Sequence, residues 1–219
     1  MKRKFLSLLI ITVLLTAIGV QAQDETETYI LGVAQPFTGS LGSFGEDFQR
    51  GIELAVDQMN AELEAAGSSI RFEIASADTE QTPEGAARAV QTIVQTTGAQ
   101  VIVGPLTTGE VLGAKQFADE NGIVLVAPAS SGIAGAIPDD NVYRVMNAPD
   151  TFSSKAYAEI AVNRGYENVV ALYIDDPFGN GMIESFTTNY QALGGGWRES
   201  SPQPATKLKN NIQALRSSP

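Results

Sequence analysis

The chain has 219 residues, 25 Asp+Glu against 14 Lys+Arg for a formal net charge of −11, and neither Cys nor His. Such acidity repels phosphate backbones and excludes nucleic acid as a partner. Without Cys there is no disulfide, thiolate metal site or lipidated N-terminal Cys. Without imidazole or thiol, the usual general base, the thiol nucleophile and most zinc sites are gone as well.

Residues 1–22 read as a cleavable signal peptide. Lys2-Arg3-Lys4 form a positive head, Phe5 to Val20 is an uncharged apolar run, and Val20-Gln21-Ala22 offers small residues at the cleavage positions. The run is short for a membrane span and polar sequence follows it. The mature chain is expected to start at Gln23, with 11 Lys+Arg against 25 Asp+Glu after Lys2, Arg3 and Lys4 are removed, a net −14. A soluble periplasmic protein without a lipid anchor is the expected address.

Taken in order, Tyr29 to Ala34 is a near-continuous apolar run, as in a strand covered on both faces. Pro36 to Gly45 reads as a loop with Gly39, Gly42 and Gly45, whose spacing fits neither a dinucleotide fingerprint nor a P-loop. A helix follows with Phe48, Ile52, Ala55 and Met59 on one stripe, closing near Gly67. Ile70 to Ile74 alternates, which suits a strand near a sheet edge. Pro83 opens a helix whose stripe is Ala87, Val90, Ile93 and Val94, and Gly98 closes it.

Val101-Ile102-Val103 is a short buried strand stopped by Gly104-Pro105, and Thr107-x-x-Glu110 reads as a capping box that starts a helix. Ile123 to Ala127 is the next strand, Pro128 to Gly132 the loop after it, and Val142 to Val145 one more short strand. Asp150 reads as the cap of a helix with the stripe Phe152, Ala156 and Ile160. Asn168 to Ile174 reads as a buried strand, followed by the loop Asp175 to Gly179, a helix from about Asn180 to Leu193, and a short helix from Leu208 to Leu215. Phe48 and Phe117 are read as core; Trp197 either packs or lies exposed.

Strands alternating with amphipathic helices imply an α/β fold with a parallel sheet, and ligands then bind at the carboxyl ends of the strands. The loops Pro36–Gly45, Leu106–Gly109 and Pro128–Gly132 occupy those ends and are rich in Gly, Ser and Thr. Thr107 and Thr108 either cap their own helix or join its free N–H groups in holding a small anion such as a carboxylate. Asp175-Asp176 either caps the next helix or serves acid or metal chemistry that would need further ligands. No G-x-S-x-G is present, so an enzyme is not expected. Only one complete strand–helix unit follows Asp150, too little for a sheet of its own. Either the chain is part of a longer one or this remainder packs on the first domain.

Several motifs in one order carry a family resemblance. Ile30-Leu31-Gly32-Val33 leading to Gly39-Ser40-Leu41-Gly42-Ser43-Phe44-Gly45, then Gln49-Arg50-Gly51-Ile52-Glu53-Leu54-Ala55 and Asp78 with Pro83 and Ala86-Ala87, are the first. Val103-Gly104-Pro105-Leu106-Thr107-Thr108, Ala127-Pro128-Ala129-Ser130-Ser131 and Asp175-Asp176-Pro177-Phe178-Gly179 follow. Together they resemble the leucine/isoleucine/valine-type periplasmic solute-binding proteins of ABC transporters.

The resemblance implies a type I periplasmic binding protein-like fold: two doubly wound parallel-sheet lobes, the second incomplete here. Residues 1–22 would be the signal peptide, 23–145 the N-terminal lobe, 146–150 the hinge crossover and 151–219 the start of the second lobe. It implies delivery of a branched-chain or related amino acid, or a small amide, to an ABC permease, by a monomer without cofactor or metal. A sensing receptor ectodomain of the same fold is the alternative.

Carried over by position, the resemblance implies Thr108 and nearby backbone N–H groups for the carboxylate, with Thr107 also in the site, the Leu106 carbonyl, and Ser130 with Ser131 for the ligand's ammonium and carboxylate. Phe44 and Phe178 stand where the family often has Tyr; they keep an apolar wall and lose a hydroxyl. The acidic residue that pairs with the ligand ammonium in that family would fall beyond Pro219.

Overall fold

A parallel sheet needs helical crossovers, and the alternation in this sequence supplies them. A computed structural model describes residues 26–145, 150–167 and 169–196. The expected leader, the start at Gln23, crossover residues 146–149, Trp197 and the helix expected over Leu208 to Leu215 lie outside the described residues.

The first unit runs β1 (Glu27–Gln35), α1 (Gly42–Ala65), β2 (Ile70–Asp78), α2 (Pro83–Thr97), β3 (Val101–Val103), α3 (Thr108–Asn121), β4 (Val124–Ala127), a short turn of 3-10 helix (Ile133–Gly135) and β5 (Val142–Arg144). The five strands lie in the order β2-β1-β3-β4-β5, every pairing parallel. β2 is an edge strand, as its alternation predicts, and β5 is the other edge among the described residues.

Period-two alternation sends one set of side chains to each face. Ala34, Ile102 and Leu125 on the sheet meet Ala86, Ala89, Val90 and Ile93 of α2 and Ala114 and Ala118 of α3, all buried. Phe117 packs half-buried against this core. On the opposite face Leu31, Phe72 and Val103 meet α1 across a shallow groove of about 510 Å³ that Phe48, Ile52, Ala55 and Met59 also line. The expected α1 stripe therefore faces the sheet, but Ala55 and Met59 stay exposed.

Helix ends follow local chemistry. Thr82 caps α2 through the Gly85 N–H with Pro83 in the first turn, and Gly98 and Gly122 close α2 and α3 in left-handed conformations. The glycine loop after β1 is shorter than expected. α1 already begins at Gly42 and takes in Gly45, where an added Cβ would lie 2.1 Å from the Pro36 carbonyl oxygen.

The second region holds α4 (Thr151–Asn163) and α5 (Pro177–Ala192), packed on one another. Two readings of it need correction. The buried face of α4 is Ser154, Ala158 and Ala161, while Phe152 and Ile160 are exposed, because small residues let α5 approach with stacked Phe186 and Tyr190 at 5.5 Å. The run expected as a strand forms none over residues 169–174, and Val170, Leu172 and Ile174 are exposed. A strand is fixed by the strands beside it, and none lies beside this run among the described residues. α5 starts three residues earlier than expected because the Asp176 side chain caps it, accepting from the Gly179 N–H at 2.7 Å, with Pro177 in the first turn.

Candidate functional site

The loops after β1, β3 and β4 leave the same edge of the sheet, the end at which parallel sheets hold ligands. The β3 loop turns at once. Gly104 has φ +125°, and a Cβ there would lie 2.0 Å from the Ala34 carbonyl oxygen, so only glycine lets β3 end against β1. Buried Leu106 follows, and then α3 begins.

Thr107 forms the expected capping box. Its hydroxyl accepts from the Glu110 N–H at 3.3 Å and its own N–H donates to the Glu110 carboxylate at 2.8 Å. Glu110 is buried and also accepts from the Thr79 hydroxyl, which joins the β2 and β3 loops. The capping role of Glu110 is visible in residue order; its burial and its bond to Thr79 depend on packing between loops.

Thr108, 1% exposed, faces the β4 loop. Its hydroxyl oxygen accepts from the Gly132 N–H at 3.0 Å and from the Ser130 hydroxyl at 3.2 Å. The structure thus joins Thr108 and Ser130, with half-buried Ser131 next in the loop. The first-turn N–H groups of Thr108 and Gly109 have no acceptor among the described residues. Pro177, at the start of α5, lies against Gly109, 3.6 Å from where a Cβ would stand. The start of α5 therefore lies against that of α3, but the Asp176 carboxylate already caps the α5 end, so the free N–H groups at the start of α3 are the ones that favour a bound anion.

Phe44 and Phe178 each sit in the first turn of a helix, on α1 and α5 respectively; Phe44 is 56% exposed and Phe178 half-buried. They form no ring pair with each other among the described residues.

Arg144, in sequence only one residue of a short strand, reaches this site. Its Nη1 donates to the Gly132 carbonyl at 3.3 Å, and its Nη2 is buried against Gly135 with no acceptor among the described residues. Burial pushes its guanidinium below the usual range, and Asp140 nearby acts in the opposite direction. A lone Arg at the carboxyl end of an apolar strand is the signal that marks it.

Asp78 holds the β1 loop. Its carboxylate accepts from the N–H groups of Phe37 at 2.9 Å, Thr38 at 3.3 Å and Glu80 at 2.8 Å, and from the Thr38 hydroxyl at 2.6 Å. Burial pushes its pKa up, but these donors together outweigh that and hold it below the usual carboxylate value. Among the described residues, no group of three His, Cys, Asp or Glu is placed to hold a metal ion.

A family model described as "Periplasmic binding protein" matches residues 28–218. The chain is 24% identical over 170 residues to the Leu/Ile/Val-binding protein BraC3 of Rhizobium johnstonii, covering 75% of this chain and 44% of that one. Its fold is similar to the branched-chain amino acid transporter substrate-binding protein LivJ from Streptococcus pneumoniae in complex with isoleucine. That likeness has TM-score 0.71 and 23% identity, over 88% of this chain and 55% of that one. A solute-binding protein of an ABC transporter from R. palustris in complex with 4-hydroxybenzoate gives TM-score 0.73 and 18% identity, over 87% and 51%. These relatives are binding proteins of transporters, not enzymes. The chain spans about half the length of the relatives it matches.

Proposed function

The chain belongs to the periplasmic binding protein family, and from that premise we propose that it captures a small carboxylate-bearing solute and delivers it to an ABC permease. The solute class is an amino acid such as leucine or isoleucine, or a related aromatic acid, as in the named relatives. The periplasm is its proposed location, and residues 23–145 and 151–219 are proposed as the two lobes joined by a hinge at 146–150.

The observation that supports this best is the meeting of two helix N-termini beside Thr108, Ser130 and Gly132. The free N–H groups and dipole at the start of α3, with neutral hydroxyls beside them, suit a carboxylate. The Arg144 guanidinium behind Gly132 adds positive potential from the protein side. Ser131 and the Leu106 carbonyl are assigned as further polar contacts, Thr107 as the residue that shapes the helix start, and Phe44 and Phe178 as apolar walls. A few convergent polar groups beside apolar walls are what a small-ligand site requires.

The test is calorimetry of the chain with leucine, isoleucine, benzoate and 4-hydroxybenzoate, followed by analysis of the recovered solute. One-to-one binding of at least one, with the solute returned unchanged, is expected. Chemical conversion of the solute, or no binding across the panel, would refute the reading.

A further inference from the structure

We propose that Gln81 is a positioning residue for the ligand site: it fixes the start of α1, and with it Phe44, relative to the start of α3, and so sets how well the site holds the apolar part of its ligand. The inference rests on the carboxylate site and the Phe44 wall proposed above and adds what keeps the two in register.

The loop between β2 and α2 is short and strained. Glu80 and Gln81 have φ of 53° and 54°, left-handed values that consecutive non-glycine residues rarely share. Strain of this kind persists where the surrounding contacts over-determine it. Here they lie on both sides of the loop. Toward β1, Asp78 holds Phe37 and Thr38. The Gln81 Oε1 accepts from the Leu41 N–H at 3.0 Å and from the Ser40 hydroxyl at 3.0 Å, across 40 and 41 residues of chain. A backbone N–H only donates, so the oxygen of the Gln81 amide is the bonding atom. A Cβ on Gly39 would lie 2.8 Å from that oxygen, so the loop before α1 passes close against it. Toward β3, the Thr79 hydroxyl donates to buried Glu110, which caps the start of α3. One loop therefore ties down the starts of both α1 and α3.

The bond to Leu41 replaces one that α1 cannot make for itself. Leu41 is the N-cap residue and has no capping side chain, and Phe44 stands at the third helical position. In a capping box that position holds Glu or Gln, whose side chain accepts the N-cap N–H. Glu110 does this for Thr107 in α3. Phe44 has no acceptor to offer, and Gln81 supplies one from another loop. The start of α4 has no such help: Asp150, its expected cap, makes no capping bond with its side chain. With Gln81 in that role, the third position of α1 is free to carry an aromatic ring at a helix start that stays fixed.

The experiment is calorimetry of the chain with paired probes that share a charged head and differ in apolar size: leucine with alanine, and benzoate with acetate. Gln81→Met removes the acceptor at similar size, and Gln81→Glu keeps an oxygen in its place. In each pair that wild type binds, Gln81→Met should lower the preference for the larger member by roughly three- to tenfold, while the smaller member holds its affinity. Gln81→Glu should restore most of that preference. An unchanged preference in Gln81→Met, an equal loss for both members, or no recovery in Gln81→Glu overturns the role of Gln81 and leaves the carboxylate site standing. Binding of no probe by wild type overturns both proposals. Hydrogen exchange on wild type needs no variant. The Leu41 N–H should be protected like the interior of α1, although helix-start N–H groups ordinarily lack a partner. Fast exchange at Leu41 overturns the proposal even where a variant fails to fold.

Discussion

The Thr108 hydroxyl oxygen lies 3.0 Å from the Gly132 backbone nitrogen, across 24 residues of chain. This bond fastens the β4 loop to the first turn of α3, and the Ser130 hydroxyl joins it at 3.2 Å. Removing the oxygen would strand a buried N–H, whose loss of partner costs about 1–3 kcal/mol. Thr108→Ala should therefore lower the melting temperature as well as weaken ligand binding at least roughly tenfold. Thr108→Ser keeps the oxygen and should restore most of both. Paired thermal melts and calorimetry check this, and an Ala variant equal to wild type in both would remove Thr108 from the site.

Gly132 tolerates no side chain. A Cβ there would stand 2.6 Å from the Thr108 Oγ1, inside contact distance. Overpacking of this kind costs typically about 1–3 kcal/mol. Gly132→Ala should destabilise the chain by that order in urea and push the β4 loop off α3. An Ala variant with an unchanged urea midpoint would show that the loop is not held against Thr108.

Arg144 should matter more to binding than to folding. The cost of desolvating the guanidinium offsets what its hydrogen bond to Gly132 gains, so Arg144→Met should change the melting temperature little. Ligand affinity should fall by roughly tenfold as positive potential behind Gly132 is lost, and Arg144→Lys should recover part of it. Wild-type affinity in the Met variant would show that the charge plays no part.

Asp78 ties stability to acid. Its folded pKa lies below the ordinary 3.8, because four donors stabilise the charged form. A lowered folded pKa contributes stability that is fully present above the unfolded value and is lost as pH falls through the folded one. The contribution should thus be intact above about pH 5 and fade below 3.8. Urea midpoints from pH 7 to pH 3 should fall more steeply for wild type than for Asp78→Asn, which cannot titrate there. Parallel curves would refute the link.

Much of the first unit was legible in residue order because its signals are local. The capping box at Thr107 and Glu110, the glycine stops at Gly98 and Gly122, and Pro83 in a first helical turn each involve neighbours in sequence. The strand runs from Tyr29 and Val101 paired as their apolar patterns imply. Residues 169–174 carry an equally apolar pattern, yet Leu172 is 60% exposed, because strand formation depends on partners that a pattern cannot supply. The stripe of α4 failed for a related reason. Its small residues, Ser154, Ala158 and Ala161, were chosen for burial by the approach of α5, whereas hydrophobicity alone pointed to Phe152 and Ile160.

For the site the division is similar. Sequence by itself determined the hydroxyl-rich loops at the carboxyl ends of the strands and the capping of α3, since periodicity and capping act within a few residues. Only the tertiary structure decided that Thr108 holds Gly132 and Ser130, that α5 begins against Gly109, and that Arg144 reaches the same loop. Those relations join residues tens of positions apart, and burial, which local pattern does not encode, sets which polar groups must find a partner.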